Sequence, residues 1–165
     1  MRPGDHPEFF RLPPPEGRSR ESTIVLSRDG RFFHDGELVE HQGLADAWHS
    51  WISRHPDDGR YILTNGWDWT YFTVEGAPLF VRRVEHDGEE VWLHLASGER
   101  VPLDPTTLVE EADGALTATV ARAGGVYDAR FSRHAQAELA PALVERDGAV
   151  MVRAFGVVGA PRAKR

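Results

Sequence analysis

The sequence contains no cysteine, so a disulfide framework and a thiolate metal site are both excluded. It contains one lysine, Lys164, and the other 18 of its 19 basic residues are arginine, the side chain best shaped to grip a carboxylate or phosphate with two hydrogen bonds. Basic charge is in deficit: 26 acidic residues leave a formal net charge of -7, which argues against broad nucleic-acid binding through phosphate neutralisation. Apolar runs extend for only a few residues, far short of a membrane-spanning helix. The N-terminal stretch lacks the apolar core and cleavage site of a signal peptide, and the expected location is cytoplasmic. Also absent are a G-x-S-x-G elbow, the two common glycine-rich phosphate loops and any His-x-x-x-His pair. No cofactor is expected.

What is present suffices for a core, since 41% of the 165 residues are hydrophobic. Residues 1–22 combine Pro13, Pro14 and Pro15 with glycines and charges, a composition that predicts a disordered or loosely docked tail. Phe9 and Phe10 are its only aromatic anchors. From Thr23 onward, Asp29-Gly30 and Asp35-Gly36 separate short apolar runs, which predicts two consecutive hairpins. Leu44, Ala47, Trp48, Trp51 and Ile52 then recur at helical spacing, predicting a helix over 43–54 that Pro56 and Gly59 end. Strands are expected at Tyr61–Thr64, Trp69–Glu75, Pro78–Glu85 and Val91–Leu95, as an antiparallel meander.

A similar layout returns later: LTATVA, a turn at Gly124-Gly125, VYDARF, and a helix capped by Ser132 with Ala135, Leu139 and Leu143 on its buried side. Pro141 is expected to kink or split that helix near Leu139. Strand, turn, strand and helix thus occur twice, over Thr23–Ile52 and Leu116–Val144, and predict an α+β fold of two similar antiparallel-sheet-plus-helix halves. The expected boundaries are 23–100 for the first half, 101–113 for a linker and 114–160 for the second half.

Three segments resemble a bacterial family of domains of unknown function, number 1285. Asp29, Gly30, Phe32, Phe33, His34, Gly36 and Leu38-Val39 follow its D-G-x-W-F-H-x-G-x-P-I signature. Val74-Glu75-Gly76-Ala77-Pro78 is similar to its V-E-D-A-P-F junction. Ala129-Arg130-Phe131-Ser132-Arg133, followed by Glu138-Leu139, is similar to its A-R-L-S-R and E-L segments. The resemblance covers roughly residues 23–145. It implies a duplicated α+β fold whose second half is pleckstrin-homology-like, a ligand pocket where the halves meet, a nucleotide-like ligand and a signalling role. The family's T-P-V-E-K is replaced here by Thr64-Asn65-Gly66-Trp67-Asp68-Trp69, and an acidic position after Glu75 is Gly76.

Aligning the two copies sets His41 against Arg133 at the two helix starts, where free N–H groups and a basic side chain suit an anion. Arg130 adds a second guanidinium, while Trp67, Trp69 and Tyr71 share one face if their segment is extended. These residues, with Glu75, form the candidate ligand set of a non-enzymatic module for a small anionic or nucleotide-like ligand held between the halves. The plainer readings are a salt bridge for Arg133, one local hydrogen bond for His41 and core packing against Trp48 and Trp51 for the aromatic row. Two alternatives stay open. One is a small metal-dependent or acid–base enzyme using His34, His41 or His49 with Asp46 or Glu75; the other is an interaction module that pairs with a protein partner or a second copy of itself. His86 and His94 are expected to be exposed.

Overall fold

Asp–Gly turns set out the strands of both parts of this α+β fold, because their central residues take positive φ. In the computed structural model, which describes residues 1–122 and 125–164, the chain divides into two compact units, Met1–Pro78 and Leu79–Arg165. No described helix is long and apolar enough to cross a membrane.

The first unit carries β1 (Val25–Leu26), β2 (Phe32–His34), β3 (Glu37–Leu38), α1 (Gln42–Trp51), β4 (Ile52–Arg54), β5 (Tyr61–Thr64), β6 (Trp69–Tyr71) and β7 (Thr73–Val74). Asp35 and Gly36, at φ 52° and 78°, make the tight β2–β3 turn. The helix ends three residues earlier than its apolar spacing predicts: Ile52 turns extended and is buried as the first residue of β4. β-branching at Ile52 favours the strand, which then pairs with β5 in the order β4-β5-β6. The expected strand Trp69–Glu75 is split. Its first part closes that sheet, whereas β7 pairs in parallel with β1 in a second sheet ordered β3-β2-β1-β7. A simple antiparallel meander is therefore not what forms.

The first 22 residues are docked. Two short 3-10 turns, Pro3–Asp5 and Pro7–Arg11, run against the β5–β6 hairpin, and Gly4 N–H donates to Gly66 O at 2.8 Å. The Phe10 ring packs 6.0 Å from Trp69 and 6.1 Å from His55, and its carbonyl accepts from His55 Nε2 at 3.0 Å. Arg11 forks onto Asp57, Arg60 forks onto Glu21, and each guanidinium holds its carboxyl partner below the usual carboxylate range. A segment too polar to make a core thus borrows one, through a single phenylalanine and several charge-assisted bonds.

The second unit carries β8 (Leu79–Asp87), β9 (Glu90–Leu95), β10 (Arg100–Pro102), β11 (Val109–Glu110), β12 (Leu116–Arg122), β13 (Gly125–Phe131), α2 (Arg133–Ala137), β14 (Leu143–Arg146), β15 (Ala149–Ala154), β16 (Val157–Gly159) and β17 (Arg162–Ala163). Seven of these strands form one sheet, ordered β10-β9-β8-β13-β12-β11-β17, in which β8 and β13 run parallel. Residues 101–113, expected as a linker, instead lie inside this unit and supply most of β10, a 3-10 turn at Pro105–Thr107 and β11. The turn expected at Gly124-Gly125 lies outside the described residues at Gly124, and Gly125 opens β13.

Ser132 caps α2, its hydroxyl accepting from Ala135 N–H at 3.0 Å, and the helix stops before Pro141, with a 3-10 turn over Ala140–Ala142. Ala135 and Leu139 are buried as expected, but Leu143 has passed into β14 and is 47% exposed. β14, β15 and β16 form a three-stranded antiparallel sheet. Antiparallel strands, a helix and a three-stranded antiparallel sheet therefore succeed one another twice, once in each unit.

His86 and His94 are half-buried instead of exposed. His86 Nε2 donates to Glu138 O at 2.6 Å, and His94 Nε2 donates to Glu85 Oε1 at 2.8 Å. Arg100 reaches the same carboxylate at 2.9 Å while its guanidinium lies 3.8 Å over Trp92. These bonds, from Arg100 first and His94 second, push the Glu85 carboxyl down to about 2. A depressed carboxyl stabilises the fold fully above its unfolded value near 4.5, and that contribution is lost as pH falls toward about 2. Glu85→Gln should therefore flatten the acid limb, so that the urea midpoint falls less between about pH 5 and pH 2 than in the wild type.

Gly159 is the tightest backbone approach in this unit. A Cβ there would meet Pro105 O at 2.2 Å, a contact with main chain and not with a side chain that could swing away. Gly159→Ala is expected to destabilise by about 1–3 kcal/mol in equilibrium urea unfolding, as for overpacked cores.

Candidate functional site

In the first unit α1 and the β5–β6 hairpin enclose a cleft of about 170 Å³. The helix supplies Trp48 and Trp51, three residues apart and so on one face. The hairpin supplies Asn65, Asp68, Trp69 and Thr70, and the apolar side chains of Ile24 and Leu63 complete the wall. The only charged residue in the lining is Asp68.

Local chemistry fixes each of these groups. Asn65 Oδ1 accepts from the N–H groups of Trp67 and Asp68 at 2.8 and 2.9 Å, and Gly66 supplies the positive φ of 88° that the turn needs. Asp68 Oδ1 accepts from its neighbour Trp69 N–H at 2.9 Å and from Arg20 Nη1 at 2.8 Å, which leaves Oδ2 uncommitted. The Arg20 guanidinium also lies 4.6 Å from the Trp69 ring centroid and donates to Trp69 O at 3.0 Å. Trp69 itself is 6% exposed, packed by Phe10, His55 and Tyr71, and its indole N–H has no hydrogen-bond partner. Trp48 is steadied from behind by an edge contact with Phe32 at 5.4 Å.

Each residue singled out in the sequence has its own local surroundings. His41 caps α1, its Nδ1 accepting from Leu44 N–H at 3.0 Å, so its imidazole is engaged with its own helix start. The corresponding cap in the second unit is Ser132, not Arg133, which shifts the expected alignment of the two helix starts by one residue. Arg133 is exposed at the first position of a helix only five residues long, too short to develop much of a dipole. Arg130 is committed to Asp113 at 2.7 Å and holds that carboxyl below the usual range. Glu75 is exposed and takes part in pairing only through its N–H, which donates to Leu26 O.

The expected aromatic row is broken. Trp69 and Tyr71 share a face of β6 with ring centroids 5.0 Å apart, but Trp67 sits in the turn and is 64% exposed. Trp69 packs chiefly on the docked N-terminal segment and His55, and it shares the lining of the cleft with Trp48 and Trp51. In the alternative acid–base or metal set, His34 lies 3.7 Å from Asp35 on the surface, His49 is buried against Phe32, and Asp46 accepts from Gln42. No three histidine, aspartate or glutamate side chains among the described residues are grouped to hold a metal ion. Sequence reasoning missed Asn65, Asp68 and Thr70 as lining residues; the signal was the Asn-Gly turn between two aromatic segments.

The fold itself has known relatives. The chain superposes on a DUF1285 family protein from Silicibacter pomeroyi DSS-3 with a TM-score of 0.68 and 18% identity, over 93% of this chain and 92% of that one. A DUF1285 family protein from Shewanella baltica OS155 matches with a TM-score of 0.53 and 16% identity, over 70% of this chain and 87% of that one. No protein-family model and no curated protein matches the sequence. The chain has a DUF1285-like α+β fold.

The two tryptophans of the hairpin should behave in opposite ways. Trp69→Ala removes a buried ring and is expected to cost about 3–5 kcal/mol, while Trp67→Ala should stay within about 0.5 kcal/mol of wild type. Urea unfolding followed by far-UV circular dichroism distinguishes them.

Proposed function

We propose that this protein is a non-enzymatic module that binds a small organic group in the tryptophan-lined cleft of its first unit. The observation that carries the reading is the cleft itself: three indoles and two apolar side chains around a few fixed polar atoms, the usual make-up of a small-molecule site. Its volume of about 170 Å³ lies below the roughly 300–1,000 Å³ of sites for drug-sized ligands. It therefore accepts a head group or a single ring, and a whole nucleotide would extend well outside it. Binding is the reading the cleft supports because its lining holds no histidine and a single carboxylate, Asp68. Preorganisation also supports it, since the hairpin turn and the docked N-terminal segment already hold Asp68 and Trp69 in place.

A thermal-shift panel of small amides, single-ring heterocycles and alkylamines tests the reading. At least one class should raise the melting temperature of the wild type and lose that effect in Trp48→Ala, with Trp48→Phe retaining part of it. A panel without any shift, or a shift that survives Trp48→Ala unchanged, contradicts the assignment.

A further inference from the structure

We infer that the ligand of this cleft is a small organic cation, an alkylated ammonium free in solution; the inference rests on the cleft being a binding site. Three features point to positive charge. Indole faces carry the negative end of the ring quadrupole, and tryptophan is the strongest aromatic partner for a cation. Trp48, Trp51 and Trp69 bring three such rings to one small space. The sole charged residue in the lining is acidic, and Asp68 Oδ2 remains free after Oδ1 has bonded Arg20 and the Trp69 N–H.

The third feature is a cation already held by the same pair of groups. The Arg20 guanidinium lies 4.6 Å from the Trp69 ring centroid and 2.8 Å from Asp68 Oδ1. Ring and carboxylate thus act together on a positive charge within this chain, and the Arg20 side chain is only 15% exposed there. Arg20 also offsets part of the Asp68 charge and already lies over the Trp69 ring, so Trp48 and Trp51 must supply a large share of the attraction. That favours a methylated ammonium, whose diffuse charge suits rings, over a compact primary amine that is strongly hydrated.

Size agrees with this class. A cleft of about 170 Å³ suits a compact head group such as tetramethylammonium and not a whole metabolite. Phosphate and carboxylate ligands are disfavoured in this cleft, because no basic side chain lines it and Asp68 repels them. The anion expected from Arg130 and Arg133 has no counterpart in the lining.

Intrinsic tryptophan fluorescence of the full chain is titrated with tetramethylammonium chloride and, at matched ionic strength, with 2,2-dimethylpropanol, an uncharged and water-soluble molecule of similar size and shape. The cation is expected to bind about tenfold more tightly than the alcohol. Asp68→Asn should lose part of that preference while keeping binding of the alcohol, and Trp51→Phe should weaken the cation more than the alcohol. Equal affinity for the two probes overturns the charge assignment and leaves the cleft as a binding site. No response to either probe overturns both. Binding to phosphatidylcholine vesicles without binding to free tetramethylammonium overturns the assignment of a free ligand in favour of a lipid head group.

Discussion

The burial of the Trp69 indole is the constraint on which the first unit depends. One surface of this residue closes a cluster with Phe10, His55 and Tyr71, and another forms a wall of the cleft. Its strand is short, and the first 22 residues of the chain complete its surroundings by docking Phe10 and Arg20 around it. The N-terminal segment is therefore structural, and its order comes from the ring it covers. The same ring also bears on the electrostatics of the cleft: Arg20 sits over it and pairs with Asp68, the charged residue of the lining.

Much of the fold was legible in the sequence wherever a local rule decides the outcome. Asp35-Gly36 and Asp147-Gly148 adopt the positive φ values that their turns need, and Ser132 caps α2 as a hydroxyl should. What stayed hidden was pairing between strands distant in sequence. The parallel pairs β1–β7 and β8–β13 join residues tens of positions apart, and no periodicity within either strand encodes its partner. Residues 101–113 show the same limit: their prolines argue for a linker, yet Pro102 fits the edge strand β10, where a missing N–H costs nothing.

The site was less legible than the fold. Trp48 and Trp51 were placed on the helix face correctly, but the same spacing serves a core and a cleft equally well; the difference lies in what the opposite hairpin leaves unfilled. His41 and Arg133 drew attention as basic residues at helix starts; the first caps its own helix through its imidazole, and the second opens a helix of five residues. Asp68 lay within the segment that departs from the pattern of the resembling family, so the resemblance could not point to it. The likeness in fold to the Silicibacter pomeroyi and Shewanella baltica proteins carries architecture, while the cleft is argued from this chain's own side chains.

The central claim is that three of the five tryptophans form one cation-binding surface. Indole N–H resonances in a ¹H–¹⁵N spectrum resolve each tryptophan separately, and a titration with tetramethylammonium chloride against a sodium chloride control reads them together. The account predicts that Trp48, Trp51 and Trp69 shift along one shared binding curve while Trp67 and Trp92 stay in place. Shifts confined to Trp67 or Trp92, or the absence of any shift beyond the salt control, would contradict it.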